Sequence, residues 1–247
     1  MQQQRTQNAE TLIRSAIACH RAGRLDEAIE LYRRVLKQRP RDAEAMTRIG
    51  IIAQQMGDLD LAIKMLDQAA RILPRETRYR MALGSALHSA GRGEEALKAF
   101  SRAAELNPDD PHARCGVATI LEQMHCLDDA VESVDRALAL APDDLLANTI
   151  RARIDRRGKR LPEARERLER IASKGGSPEQ TFPIHFELGR VLDRMSDYDA
   201  AFAAFSRANQ LQSLTHSARA VDPKPLHNRL DEWRETVSAQ DLRSWAV

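Results

Sequence analysis

The sequence has few of the side chains that fill the cores of large sheets. Of its 247 residues only 4% are aromatic: two Trp, three Tyr and five Phe. Ala, Leu, Arg and Glu predominate instead, which favours packed helices over sheets. Neither sign of charge dominates, with 38 Lys and Arg against 36 Asp and Glu, so no whole-molecule field draws in a nucleic acid. Cys19, Cys115 and Cys126 are an odd set without a CxxC pair. They read as reduced thiols in a cytoplasmic protein, not as a disulfide framework. The start, MQQQRTQNAE, lacks the apolar core of a secretory signal. No run approaches the ~20 apolar residues of a membrane span.

Signatures of catalysis are missing too. There is no Walker loop or GxGxxG, and no Ser, His or acidic residue stands in a nucleophile elbow or a paired-carboxylate context. The chain is therefore expected to be non-catalytic by itself and to need no cofactor. Acidic residues alternate with Lys and Arg, the pattern of solvated helix faces.

What is present is a repeat. Glu94–Pro108, EEALKAFSRAAELNP, reads as an amphipathic helix whose apolar stripe is Ala96, Leu97, Phe100, Ala103 and Ala104, stopped by Asn107-Pro108. The same pattern recurs 34 residues earlier, twice, and 34 residues later, so that Pro40, Pro74, Pro108 and Pro142 are evenly spaced. Registers of this period fall at 9–42, 43–76, 77–110, 111–144 and 145–178, each a helix, a tight turn and a second helix. Small residues recur where two helices must approach closely: Ala16, Gly50, Gly84, Ala118 and Ala152 in the first helix, Ala28, Ala62, Ala96, Ala130 and Ala164 in the second. Gly23, Gly57 and Gly91 occupy the turn, where positive φ is needed. Tyr32, Leu66, Phe100, Val134 and Leu168 fill the layer between. Together these residues resemble the tetratricopeptide repeat (TPR) family over most of 9–215. The resemblance implies an all-α solenoid, a right-handed superhelix of about six helix–turn–helix repeats.

The fifth register departs from the pattern. Asn148, Arg151 and Asp155 stand at first-helix positions that are usually apolar, and LysGlyGlySerPro at 174–178 interrupts the period. A loop is expected over 174–181, with a sixth repeat at 182–215 carried by Phe186–Arg190, Tyr198, Ala201, Phe205 and Ala208. Beyond it, Leu226, Leu230, Trp233 and Val237 form one apolar stripe. Because an array leaves its last apolar face bare, residues 225–238 are expected to be a capping helix within a 216–247 segment of linker, helix and tail. Residues 1–8 read as a polar N-terminal segment.

In TPR proteins the first helices line a concave groove that holds a peptide or protein segment. Carried onto this sequence, the groove comprises Ile13, Ile17 and His20, then Thr47, Ile51 and Gln54, then Met81, Ser85 and His88, then Cys115, Thr119 and Glu122. Thr149, Arg153, Arg156 and Arg157 follow, then Phe186, Arg190 and Arg194. Ile13 and Ile17 stand where some relatives carry a Lys/Asn clamp for a C-terminal carboxylate, so that clamp is absent there. The groove runs from apolar to basic, which suits an acidic partner, with Asp155 and Asp193 placed to neutralise part of the basic end. Neither a membrane nor a nucleic acid is expected as partner: Arg-rich 151–174 lacks the aromatics that stack bases. Oligomeric state is not legible.

No metal site is expected. His112 and Cys115 share a helix face, but His125-Cys126 lies about ten residues on, roughly 15 Å away at ~1.5 Å per residue, against Zn–ligand bonds of ~2.0–2.3 Å. His20 and His88 lie two repeats apart, too far to act as a catalytic pair. A narrower likeness lies at the end: HFELGRVLDRMSDYDAAFAAFSRANQLQ, a spacer and ValAspPro at 221–223 resemble the close of the TPR half of bacterial TPR–sulfotransferase proteins. That resemblance implies, as the alternative function, a partner- or substrate-recruiting portion whose catalytic domain would follow Val247. Up to Val247 no strand leads into a Gly-rich phosphate loop; Gly175-Gly176 has no strand before it.

Overall fold

The computed structural model describes residues 2–215, with side chains from Asn8 onward. Among the described residues there are twelve helices and no strand, arranged as consecutive hairpins. The pairs are α1 (Gln2–Arg21) with α2 (Leu25–Gln38), α3 (Ala43–Gln55) with α4 (Leu59–Ile72), and α5 (Thr77–Ser89) with α6 (Gly93–Leu106). They continue with α7 (Pro111–Gln123) and α8 (Leu127–Leu140), α9 (Leu145–Arg157) and α10 (Leu161–Ala172), α11 (Pro178–Arg194) and α12 (Tyr198–Ser213). No helix among the described residues is long and apolar enough to cross a membrane. The helix expected at 225–238, ValAspProLysPro at 221–225 and the tail lie outside the described residues.

Local chemistry sets the helix ends. Asp42, Asp58, Asp144 and Asp197 each accept the backbone N–H three residues on, and Asp110 that of His112. Such a cap stabilises a helix by ~1 kcal/mol. Pro40, Pro74, Pro108 and Pro142 follow the ends of α2, α4, α6 and α8, where a residue without an N–H cannot continue the helix. Inside each hairpin the chain reverses through one residue of positive φ: Gly23 (75°), Gly57 (82°) and Gly91 (71°), as their positions imply. The later hairpins make the same turn at His125 (62°), Lys159 (63°) and Ser196 (63°), which composition gives no reason to expect.

Packing within a hairpin pairs a small residue with a large one. A Cβ on Gly50 would lie 2.6 Å from Leu66, on Gly84 2.8 Å from Phe100, and on Gly189 2.7 Å from Phe205. Phe100 is gripped from both sides, because a Cβ on Gly116 would come within 2.5 Å of it. Where the first helix carries Ala16, Ala118 or Ala152 instead, each is fully buried. Four apolar clusters follow one another along the array: α1 to α3, α3 to α7, α7 to α9, and α9 to α12. Each hairpin thus shares core only with its neighbours, as in a solenoid. From α3 onward each first helix touches the next first helix, α3 to α5 and on to α11, whereas the second helices make no comparable contact with one another. The first helices therefore form the inner face.

Two boundaries differ from the sequence reading. The helix of the sixth hairpin begins at Pro178, not 182, so the expected loop shrinks to 174–177. Gln180 Oε1 reaches back to accept the Ser177 N–H at 3.2 Å, and Pro178 sits in the first turn, where its missing N–H costs nothing. Pro183 is then inside the helix and removes one ladder hydrogen bond. At the other end α1 starts at Gln2 and takes in most of the segment read as separate, since nothing between Gln2 and Ala9 breaks a helix.

Candidate functional site

One register position ties the inner face together. His20, Gln54, His88, Glu122 and Arg156 stand 34 residues apart, each near the C-terminal end of a first helix. The first four reach the residue 31 or 35 places on, one helical turn apart on the next first helix and flanking the equivalent position there; Arg156, ahead of the three-residue interruption, reaches Glu187, nearer the start of α11. His20 Nε2 lies 2.9 Å from Gln55 Oε1. Gln54 Nε2 donates to Ser89 Oγ at 2.8 Å and Ser85 Oγ at 3.3 Å, and Gln123 Nε2 lies 2.8 Å from His88 Nε2. Further along the bonds become ionic. Glu122 faces Arg153 at 2.8 Å and also pairs with Arg157, while Arg156 donates to Glu187.

The Glu122 cluster is Coulombic more than directional. Its carboxylate is buried and both arginines lie close, yet Glu122 Oε1 and Arg153 Nε and Nη2 lack a partner with hydrogen-bond geometry. The distances make it an ion pair; the angles deprive it of the extra strength of a forked contact. Arg157 adds a bond to the Glu122 carbonyl at 3.4 Å.

The polar residues of the fifth hairpin form a second network between α9 and α10. Asp155, buried, pairs with Arg151, with Arg160 at 2.8 Å and with Arg167 at 3.8 Å. Asn148 donates to the carbonyls of Pro142 and Asp144 and accepts from Arg167 and Arg170. Burial disfavours the charge on both inner arginines: it pulls Arg167 below its ordinary pKa, whereas Asp155 and Asp135 outweigh it at Arg151. The expected neutralisation of the basic end therefore takes another route. Asp155 serves this network, and the inner-face arginines find their ion pairs at Glu122 and Glu187.

The other inner-face residues divide by exposure. Cys115 and Thr47 are core, not surface: burial pushes the Cys115 thiol up to about 12, and Thr47 Oγ1 bonds the Ala43 carbonyl at 2.8 Å. Ile13, Ile17, Ile51, Met81, Thr119 and Thr149 are half-buried, with Ile13, Ile17 and Met81 packed on the core beneath. Ser85 is exposed. At the far end Arg190 and Arg194 are exposed; Arg190 stands 4.9 Å over the Phe186 ring and 3.6 Å from Glu187. Phe186 in turn meets Phe205 edge-on at 5.4 Å. A cleft of about 430 Å³ opens between the N-terminal ends of α7, α9 and α11, lined by His112, Leu145, Leu146, Thr149, Gln180 and Pro183 among others. Leu146 is exposed there. Among the described residues no group of three or more His, Cys, Asp or Glu could hold a metal ion.

A stack of helical hairpins whose first helices line one face defines the class of protein: an α-solenoid. The profile of the tetratricopeptide repeat family matches residues 20–86 and 87–154, and the chain belongs to that family. No curated protein matches it. Among solved structures it is similar to pilF of Pseudomonas aeruginosa, at 19% identity over 85% of this chain and 95% of that one, with a TM-score of 0.66. It is also similar to a tetratricopeptide repeat protein from Parabacteroides merdae, at 17% identity over 83% and 80%, TM-score 0.68. A third is a thermophilic TPR protein of Thermus thermophilus, at 21% identity over 79% and 99%, TM-score 0.57. Likeness at these identities speaks to the fold alone.

Proposed function

We propose that the chain is a protein-interaction module that holds an extended segment of a partner along its inner face, with an acidic stretch of that partner at the sixth hairpin. TPR repeats are typically interaction modules, and the ladder from His20 to Glu187 supports this reading by locking successive first helices into a preformed surface. The observation that carries it is the basic surface that stays exposed at the sixth hairpin. Arg153, Arg156 and Arg157 serve Glu122 and Glu187, while Arg190, which stands over the Phe186 ring and 3.6 Å from Glu187, and Arg194 are exposed. Guanidinium groups donate parallel hydrogen bonds to carboxylates, and the Leu146–Pro183 cleft can take an apolar side chain of the same segment.

A peptide-display selection on the whole chain tests this. Enriched peptides should be acidic, and Arg190→Glu with Arg194→Glu should weaken them and flatten their salt dependence. Arg102→Glu on the outer helix α6 should leave binding unchanged. Equal affinity for the parent and the Arg190/Arg194 variant at low salt would overturn the acidic-partner reading.

The alternative, a recruiting portion of a sulfotransferase, rests on the sequence pattern at 182–223. It requires a strand–loop–helix phosphate site encoded after Val247, so reading the gene downstream decides it.

A further inference from the structure

Tyr198 and Phe202 on α12 are 66% and 75% exposed, and the residues in their places elsewhere are not. Counted from the N-cap of each second helix, the place of Phe202 is held by Ile29, Ile63, Leu97, Val131 and Arg165. Ile29 is buried in the cluster that joins α2 to α3. Ile63 and Leu97 pack on the cluster running from α3 to α7, and Val131 on the one joining α8 to α9. Even Arg165 reaches forward to Asp197 at the start of α12, at 3.4 Å. The place of Tyr198 is held by Leu25, Leu59, Gly93, Leu127 and Leu161, all half-buried. Wherever a further hairpin follows, it covers this stripe. On α12 two aromatic rings occupy it, and no described residue covers them.

Chain of the right chemistry continues from that end. α12 closes at Ser213, and Leu226, Leu230, Trp233 and Val237 recur at the i, i+4, i+7, i+11 spacing of a helix with one apolar face. The spacer 216–224 can stretch to roughly 30 Å at ~3.3 Å per residue, longer than the ~24 Å of α12 at ~1.5 Å per residue. We propose that residues 225–238 dock as a helix on the Tyr198–Phe202 stripe, in the place a seventh first helix would take, and close the array.

Both tryptophans, Trp233 and Trp245, lie in the 216–247 segment. In the full chain carrying Trp245→Phe, emission therefore reports on Trp233 alone. Docking calls for blue-shifted emission, shielded from acrylamide and unchanged on dilution. Phe202→Glu should shift it to the red and raise the quenching constant several-fold while far-ultraviolet circular dichroism holds. Leu230→Glu, on the other partner, should do the same with the array untouched. Trp233 as accessible in the parent as in the urea-unfolded chain would overturn the proposal, as would shielding indifferent to both variants. An accessible Trp233 together with a concentration-dependent dimer that Phe202→Glu dissociates would also overturn it, and would assign the stripe to a second copy.

Discussion

Glu122 of α7 and Arg153 of α9 face each other at 2.8 Å across the joint between the fourth and fifth hairpins, the carboxylate almost wholly buried. The same register position bonds neutrally in the earlier hairpins, through His20, Gln54 and His88. The joint around Glu122 is therefore where the inner face changes from hydrogen bonds between neutral side chains to ion pairs. It is the more sensitive half of the ladder. A lost neutral bond at an exposed site is replaced by water, whereas a buried charge without its partner is not.

Glu122→Ala should accordingly destabilise the array more than Gln54→Ala. Leaving buried charged donors unpaired costs on the order of 1–3 kcal/mol, held to that range because Arg157 can still reach water. Urea unfolding followed by circular dichroism measures the difference. Equal midpoints for the two variants would mean that the Glu122 cluster contributes no more than a surface bond.

Gly84→Ala should be costly although Ala is the better helix former. The new Cβ would meet Phe100 at 2.8 Å, and Phe100 is blocked on its other side by the backbone of Gly116. Overpacking of this kind costs ~1–3 kcal/mol. Phe100→Leu in the same chain should recover part of the loss, so the two changes should be non-additive in a double-mutant cycle. Additive midpoints would place the strain elsewhere.

Lys159→Gly should stabilise the protein. Lys159 holds a φ of 63°, a conformation that costs a side-chain-bearing residue ~1–2 kcal/mol. Glycine relieves it, less the ~0.5–1 kcal/mol of extra chain entropy that glycine loses on folding. A small rise in melting temperature is expected for Lys159→Gly, and a fall for the reverse change, Gly57→Ala, at the equivalent turn. A fall for both would show that Lys159 makes contacts worth more than its strain.

His185 should make stability fall on mild acidification. Burial, with Arg207 adding to it, lowers its pKa from the ordinary 6.5. In the unfolded chain the ring binds its proton first, so as pH drops below about 6.5 the unfolded state is favoured. The stability is whole above that range and is lost as pH falls toward the folded-state value. His185→Gln should flatten the melting-temperature profile between neutral and mildly acidic pH. An unchanged slope would assign the dependence to other groups.

The recurring Pro40 to Pro142, the small residues Gly50, Gly84 and Ala96, and the turn glycines Gly23, Gly57 and Gly91 make the helical solenoid legible in the chain itself. These features are local. A helix stop, a close crossing within one hairpin and a left-handed turn depend on residues a few turns apart, and each demands a residue type that recurs with the period. Where a demand is met by an atypical residue, as at His125, Lys159 and Ser196, the pattern falls silent although the backbone is the same.

The inner face was decided at another level. Whether Arg153 meets solvent or Glu122, whether Asp155 turns to the groove or to Arg160, and whether Cys115 and Thr47 show at the surface all depend on how one hairpin seats on the next. The sequence by itself determined the periodic helices and the small residues at their crossings, because those follow from contacts inside a repeat. Only the tertiary structure decided which charges of the inner face are paired within the chain and which stay exposed, because an ion pair between residues 31 or 35 places apart exists only once two first helices lie side by side.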